Sequence, residues 1–168
     1  MKSEELATIA TLIRNQRQAA LGTLHEQAPF VSMVAYAAEP DFGGVLLHLS
    51  RLAPHTTHLL AAPAASLLIC ERDDGRDDVQ TLARITLSGE ARPLDTASSE
   101  YPTARDWYLA RLPAAEMLFS FPDFLLFRFV PHEARYVGGF ARTYTLTPDL
   151  LRLAAHTLAT ENTETTEI

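Results

Sequence analysis

The segment from Ser50 to His58, with the sequence Ser-Arg-Leu-Ala-Pro-His-Thr-Thr-His, gathers the side chains best suited to bind an anion. A predicted strand ends at Ser50 and a helix begins near Pro54, so Ser50, His55 and Thr56 fall around a helix N-terminus. Free backbone N–H groups, hydroxyls and a chargeable imidazole together suit a phosphate group. The pattern also fits a plain alternative, in which Ser50 caps the helix and the histidines lie on the surface.

Arg84 is the second candidate, in the run Ala83-Arg84-Ile85-Thr86-Leu87. An arginine inside an apolar strand either has its charge paired or solvated in a cavity, or lies on the outward face of the sheet. The chain contains a single lysine, Lys2. Any bound phosphate must therefore be held by arginine, histidine, hydroxyl groups or backbone N–H groups.

Other side-chain chemistry finds little support in the sequence. No two of the six histidines have the spacing of a zinc-binding His-Glu-x-x-His motif, so no catalytic metal is predicted and most histidines are expected at the surface. The chain has no Gly-x-Ser-x-Gly elbow, no activated-cysteine signature and no P-loop. Its one cysteine, Cys70, is predicted to be a buried structural thiol. Any chemistry is therefore expected to depend on a cofactor.

Length and composition predict a single domain over residues 1–160, followed by a disordered tail over residues 161–168. The 168 residues include 47% hydrophobic and 21% charged residues, which is usual for a globular protein. The net charge of -7 argues against a nucleic-acid partner. No apolar run approaches the roughly 20 residues needed to cross a bilayer, and the first residues do not resemble a signal peptide. We therefore expect a cytoplasmic protein with no membrane partner.

The pattern of apolar residues predicts a mainly β protein with flanking helices. Helices are expected over residues 3–18 with Ser3 as the N-cap, over 54–62, from Asp95 or Thr96 to Leu112, at Pro113, and over 148–159. Extended segments are expected over residues 19–24, 30–37, 45–49, 66–71, 83–92, 123–130 and 135–146. The glycine pair Gly138-Gly139 within the last of these indicates a bulge or the close approach of a ligand or another backbone. This order favours a small antiparallel barrel with helices packed around it.

Several segments resemble the pyridoxamine 5'-phosphate oxidase-like flavin split-barrel superfamily. They are Ala20-Leu21-Gly22-Thr23-Leu24, Pro29 to Val34, Leu49 to Thr56, Pro63 to Leu68, Arg84 to Gly89, Asp123-Phe124 and Val137-Gly138-Gly139-Phe140. The last two are most similar to the branch that includes haem-utilisation proteins. The resemblance spans residues 6–147. It implies a six-stranded antiparallel split β-barrel and a homodimer that holds flavin mononucleotide, FMN, at its interface.

Carried over position by position, the resemblance implies which residues bind FMN. Val31, Ser32, Met33 and Val34 would lie along the flavin ring and ribityl chain. The phosphate would face Ser50, His55 and Thr56, with Arg84 reaching the phosphate or the ribityl oxygens. Gly138, Gly139 and Phe140 would lie near the cleft.

The expected function is that of an FMN-binding oxidoreductase acting on an unidentified small molecule. The pyridoxamine phosphate oxidases carry an Arg-Lys pair where this chain has Pro54-His55, and their substrate-binding arginine and histidine have no clear counterpart here. These differences argue against vitamin B6 oxidation. Two alternatives stay open: a haem-binding or haem-degrading protein, with His156 as the candidate iron ligand, and a flavin-binding module without turnover.

Overall fold

The computed structural model describes residues 1–139 and 142–161, and side chains to residue 157. Its helices are α1 (Ser3–Asn15), α2 (Pro54–Ala61), α3 (Tyr101–Arg111) and α4 (Pro148–Glu161). Its strands are β1 (Gln18–His25), β2 (Ala28–Ala35), β3 (Ala37–Ala38), β4 (Val45–Ser50), β5 (Ala64–Cys70), β6 (Arg84–Pro93), β7 (Phe124–Val137) and β8 (Thr143–Leu146). Short 3₁₀ helices span Val79–Thr81 and Pro113–Ser120. Phe140 and residues 162–168 of the expected tail lie outside the described residues.

The strands form one curled antiparallel sheet in the order β2-β1-β5-β6-β7-β4-β3, with β8 also paired to β7. Strand β7 has 14 residues and lies beside β6 for most of its length. On its other side, its first half pairs with β4 and its last residues pair with β8. The predicted class, mainly β with flanking helices in an antiparallel split barrel, is confirmed. The described sheet has eight strands rather than six, because β3 and β8 form separate short pairings.

Of the two interpretations of Gly138-Gly139, the bulge is wrong, and the close approach of a ligand stays a prediction. The Gly138 N–H group donates a hydrogen bond to the Arg142 carbonyl (2.8 Å), and Gly139 has a φ of +100°, so the pair forms the turn between β7 and β8. The bulge lies instead between Ser88 and Gly89, where the register of β6 against β7 shifts. A β-carbon at Gly89 would lie 2.1 Å from the Val130 carbonyl oxygen, so the close approach of the two backbones requires glycine there.

The barrel core follows the alternation of side chains along the strands. Phe30, Ser32 and Val34 face inward with Tyr36, and the buried Tyr36 hydroxyl donates to the Ile13 carbonyl (2.6 Å). The same alternation corrects the expectation for Cys70. Its neighbour Ile69 is buried, so Cys70 points to the opposite face and is exposed.

Two predicted helix starts also differ from the structure. Lys2, rather than Ser3, is the N-cap of α1, and its backbone N–H group donates to the Glu5 carboxylate (2.8 Å). The Asp95 carboxylate accepts a hydrogen bond from the Ala97 N–H group (2.9 Å) and closes a turn. Helix α3 consequently begins only at Tyr101.

A second, smaller core covers the outside of the barrel where α3 packs on β4. Its buried members are Ala37, Leu46, Ala104, Tyr108 and Leu126. Tyr101, at the start of α3, and Leu112, just after its end, pack against it. None of the helices within the described residues is long and apolar enough to cross a membrane.

Candidate functional site

Strand β2 is the edge of the sheet and has two unlike faces. Val31 and Met33 point outward and are 67% and 70% exposed. Ser32, between them, points inward and is half-buried, and Val34 is buried. The four residues predicted to line the flavin are therefore split in their side-chain directions, although their backbone runs along one open edge.

The outward side chains of β2, β1 and β5 form a continuous apolar surface, which we call the outer sheet face and define by Gly22, Leu24, Val31, Met33 and Leu68. Its residues are adjacent through the strand register, in which Gly22 is opposite Val31. A cavity of about 370 Å³ lies around Gly22, Leu24 and Val31, and another of about 550 Å³ lies around Met33 and Leu68. Large exposed apolar side chains grouped in this way mark a surface for a ligand or a partner.

Helix α2 is attached to the β1–β2 hairpin through two histidines. The imidazole of His55 is hydrogen-bonded through Nδ1 to the Ser32 hydroxyl (2.9 Å). One turn further along the helix, Nδ1 of the buried His58 is hydrogen-bonded to the Thr23 hydroxyl (3.0 Å). The ring of His25 stacks on His58 with ring centres 4.9 Å apart. Burial, together with the nearby His58, lowers the pKa of His55, so this imidazole is uncharged at neutral pH.

Ser50 and Thr56 lie beside His55 at the start of α2, as the sequence predicts, but their surroundings are not those of a simple phosphate site. The Ser50 hydroxyl donates to Asp123 Oδ2 (3.0 Å) and accepts from the Leu52 N–H group (3.1 Å). A carboxylate therefore stands next to Ser50. Thr56 is fully buried, and its hydroxyl has no hydrogen-bond partner among the described residues.

Arg84 is not brought to this cluster within one chain. It is paired with Val137 near the end of β7, whereas Ser50 is paired with Phe124 at its beginning. Arg84 lies on the same side of the sheet as Cys70, its direct partner across β5 and β6, and is half-buried. Its guanidinium donates to the carbonyls of Gln80 (2.9 Å) and Leu82 (3.1 Å).

The remaining predicted site residues fall at the Arg84 end of the barrel or on a helix. Gly138 and Gly139 form the β7–β8 turn next to Val137, and the predicted contact of Phe140 falls outside the described residues. His156 is exposed on α4, which packs on α1, β7 and β8. Within the described residues, no three or more His, Cys, Asp or Glu side chains are arranged to hold a metal ion.

The expectation that most histidines lie at the surface holds for only three of them, His25, His132 and His156. His48 was missed by sequence reasoning. It is 8% exposed, and its ring lies parallel to that of Phe119 with ring centres 3.7 Å apart. The available signal was its place inside the apolar run Val45-Leu46-Leu47-His48-Leu49, all of which is buried because both faces of β4 are covered.

Comparison with known proteins places these features in a family. Residues 1–150 match the profile of the CREG beta-barrel family. The chain is 38% identical over 120 residues to the chloroplastic haem oxygenase HOZ of Arabidopsis thaliana, a match that covers 71% of this chain and 35% of HOZ. The chain thus spans about a third of the length of this curated relative.

Solved structures agree on the fold. A haem-binding protein from Mycobacterium smegmatis superposes with a TM-score of 0.79 at 27% identity, covering 91% of this chain and 61% of that one. A protein of the pyridoxine phosphate oxidase family from Clostridium acetobutylicum, related to general stress protein 26, superposes with a TM-score of 0.67 at 14% identity, covering 90% and 99%. The second likeness concerns the fold alone, and it confirms the predicted split barrel. The chain belongs to the CREG beta-barrel family, within the split-barrel fold of the pyridoxamine phosphate oxidase-like proteins.

Proposed function

We propose that the chain is a haem-binding protein. The observation that carries this proposal is its sequence similarity to two haem proteins, 38% identity over 120 residues with the Arabidopsis haem oxygenase and 27% over nine-tenths of the chain with the mycobacterial haem-binding protein. FMN binding, the first expectation from the sequence, is supported at the level of the split-barrel fold.

The outer sheet face fits the chemistry of haem. Haem has a large planar apolar body and two carboxylate groups. Val31, Met33 and Leu68 offer exposed apolar side chains, and the absence of a side chain at Gly22 leaves the face open between β2 and β5. Arg72 borders the cavity next to Met33 and Leu68, with the acidic residues Glu71 and Asp73 on either side of it. Arg84 lies on the same face of β6, so these two arginines are the cations on this face that could pair with carboxylates.

We further propose that a second copy of the chain covers this face, as the family resemblance implies, so that the ligand lies between two copies. Haem iron, when bound, supplies the capacity to bind and activate oxygen. The chain's own contribution would be an apolar surface that excludes water and cations that orient the carboxylates. The exposed histidines are His25, His132 and His156. His156, the candidate iron ligand from the family resemblance, lies on α4, which packs on α1, β7 and β8, so it would have to reach a haem on the outer sheet face from the second copy.

Titration of the purified protein with haemin tests the proposal. We expect a Soret band with 1:1 stoichiometry per chain, and a loss of affinity of at least tenfold in the pair of substitutions Val31→Glu and Met33→Glu. His156→Ala should shift the Soret maximum if His156 binds the iron, whereas His132→Ala serves as the matched control. No saturable Soret band would overturn haem binding, and an unchanged spectrum in His156→Ala would remove this ligand only.

Degradation of the bound haem is the extension of this proposal, since one relative is a haem oxygenase. We expect the Soret band of the complex to decay when a reductant is added in air. An anaerobic sample is the control, because oxidative cleavage requires oxygen. A Soret band that is stable in air with reductant would leave the protein as a haem binder without turnover.

FMN is the second candidate ligand, favoured by the unpartnered buried hydroxyl of Thr56 beside the Ser32–His55 pair. Within a single chain, the fit to a phosphate is incomplete. Asp123 would repel it, His55 is uncharged at neutral pH, and Arg84 lies at the other end of β7. A phosphate that reaches Arg84 would have to bind the copy of Arg84 from a second chain.

An absorbance spectrum separates the candidates, because bound FMN gives a band near 450 nm. If FMN binds as proposed from the family, Arg84→Ala should weaken it by more than tenfold, since a charge-assisted hydrogen bond contributes roughly 1.5–3 kcal/mol. His55→Ala should weaken binding by a similar factor at pH 7 and pH 8, because burial lowers the pKa of the imidazole and favours its uncharged form. Turnover of a reduced nicotinamide with an added acceptor would distinguish an oxidoreductase acting on a small molecule from a flavin-binding module.

A further inference from the structure

A separate cavity of about 590 Å³ lies at the end of the barrel where β4 and β6 finish and β7 begins. Aromatic side chains dominate its walls. Tyr101 comes from α3 and Phe119 from the 3₁₀ helix before β7. Phe121 lies in the connection between that 3₁₀ helix and β7, and Phe124 is the first residue of β7. None of its lining residues belongs to β1, β2 or β5, so the cavity is distinct from the outer sheet face.

One cation on the rim of this cavity is available to a ligand. Arg51 is exposed, and its guanidinium makes no hydrogen bond or ion pair with any residue that the structure describes. Asp95, the acidic residue on the same rim, already accepts a hydrogen bond from the Ala97 N–H group in its turn. An anionic group entering here therefore has Arg51 as its natural partner, and a cationic one would have to compete with the Ala97 N–H group for Asp95.

The wall of the cavity is backed by an unsatisfied polar group. Phe119 stacks on His48 at 3.7 Å, and Phe124 lies 5.1 Å from the same imidazole, measured between ring centres. His48 is more than nine-tenths buried, and its Nδ1 atom has no hydrogen-bond partner among the described residues. The 3₁₀ helix that carries Phe119 has no fully buried residue. Phe119, whose ring also lies under the Arg105 guanidinium (5.3 Å to the ring centre), thus separates the cavity from a buried nitrogen that lacks a partner among the described residues.

We propose that this cavity binds a small planar aromatic acid, with the ring between the aromatic side chains and the acidic group on Arg51. Aromatic rings favour offset or edge contacts with other rings at centre separations of about 4.5–7 Å. A cavity of this size takes a ligand of two or three fused rings. The proposal does not depend on which ligand occupies the outer sheet face.

Binding of 2-naphthoate, followed by isothermal titration calorimetry, tests this site. We expect one molecule per chain, with Arg51→Gln weakening binding at least fivefold and Phe121→Ala weakening it by a similar factor. Arg92→Gln is the matched control, since Arg92 is exposed, pairs with Glu90 and does not line the cavity. The amine analogue, 2-naphthylmethylamine, should bind more weakly than the acid.

Nuclear magnetic resonance supplies a second readout. Saturating 2-naphthoate should shift the ring resonances of His48, which stacks on Phe119, and leave those of the exposed His132 unchanged. Circular dichroism would verify that each variant is folded. Equal affinity in Arg51→Gln and Arg92→Gln, or binding that is lost in Val31→Glu with Met33→Glu instead, would overturn the proposal.

Discussion

At the scale of single residues, His48 shows how burial sets the charge of a histidine. Aromatic rings from three elements surround its imidazole, with Phe119 stacked on it and Tyr108 and Phe124 at ring-centre separations of 5.8 and 5.1 Å. No described carboxylate contacts the ring. Burial alone therefore lowers the pKa of His48 to about 4, because the charged form would lose its hydration without gaining a partner.

This shift predicts that the fold loses stability in mild acid. The unfolded chain takes up the proton near pH 6.5 and the folded chain only near pH 4, so the unfolded state holds more protons between these values. The free energy of unfolding should accordingly fall by up to about 3 kcal/mol as the pH decreases from 6.5 to 4. Urea denaturation at a series of pH values measures this dependence.

His48→Phe should flatten the pH dependence, since it keeps an aromatic ring against Phe119 and removes the titrating group. His55 also has a lowered pKa, so part of the slope will persist. His132→Phe is the control, because His132 is exposed and lies outside this cluster of rings. A slope in His48→Phe as steep as in the unsubstituted protein would refute the assignment.

At the scale of elements, the β1–β2 hairpin and α2 behave as one unit because the histidines of α2 are hydrogen-bonded to the hairpin. Thr23 and Ser32 come from adjacent strands and hold His58 and His55, one helical turn apart. The phenyl ring of Phe30 also meets the face of His58 edge-on, with ring centres 5.2 Å apart. Strand β2, which carries Val31 and Met33, is thereby tied to the segment that begins at Ser50.

Removing the Thr23 hydroxyl should weaken this attachment. Thr23→Val keeps the side-chain shape but leaves Nδ1 of the buried His58 without a partner, so we expect a loss of about 1–2 kcal/mol in the free energy of unfolding. Thr86→Val provides the comparison. Thr86 is half-buried in β6, and its hydroxyl has no hydrogen bond in the described part of the chain. Equal losses in the two variants would show that the Thr23–His58 contact contributes nothing specific.

The β-bulge at Gly89 predicts that two glycine-to-alanine substitutions will differ in their effect on stability. Gly89→Ala places a β-carbon 2.1 Å from a backbone carbonyl that cannot move without breaking the sheet, so we expect destabilisation by about 2–3 kcal/mol. Gly22→Ala meets only the Ser66 hydroxyl, at 2.6 Å, and that side chain can rotate away. Urea denaturation should therefore give a much lower free energy of unfolding for Gly89→Ala than for Gly22→Ala. The reverse order would contradict the account of the bulge.

Much of this architecture could be predicted from the periodicity of the sequence. In β2, for example, every second residue, Phe30, Ser32 and Val34, faces the core, and this alternation is visible in the sequence. The failures have physical causes. Pro131 lies inside β7 without interrupting it, so one strand was expected to be two, and the Gly138-Gly139 turn was expected to be a bulge. The candidate site was predictable only as a local cluster at Ser50, His55 and Thr56. Arg84, in β6, pairs with the last residue of β7, whereas Ser50 pairs with the first. This separation depends on strand pairing, which local sequence does not encode.

At the scale of the whole molecule, the outer sheet face is too apolar for a surface exposed to water. The chain exposes 9997 Å² in total, and a stable dimer requires about 800 Å² per partner, under a tenth of that surface. Val31 and Met33 lie on the edge strand β2, whose backbone is unpaired on one side within the described residues, and Leu68 lies on the same face of β5. A second copy on this face would bury these side chains and bring residues from both chains to one cleft.

The proposed dimer predicts a specific response to charge. Val31→Glu together with Met33→Glu places four carboxylates in the proposed interface of two copies, and their repulsion and desolvation should shift the protein to a monomer at micromolar concentration. Both side chains already face solvent in the single chain, so its fold should be retained, as circular dichroism can verify. Leu153→Glu is the control, because Leu153 is 51% exposed on α4, away from the outer sheet face. Sedimentation velocity should give a dimer for this control. A dimer that survives in the Val31→Glu, Met33→Glu protein would assign the interface to another surface and remove the proposed cleft with it.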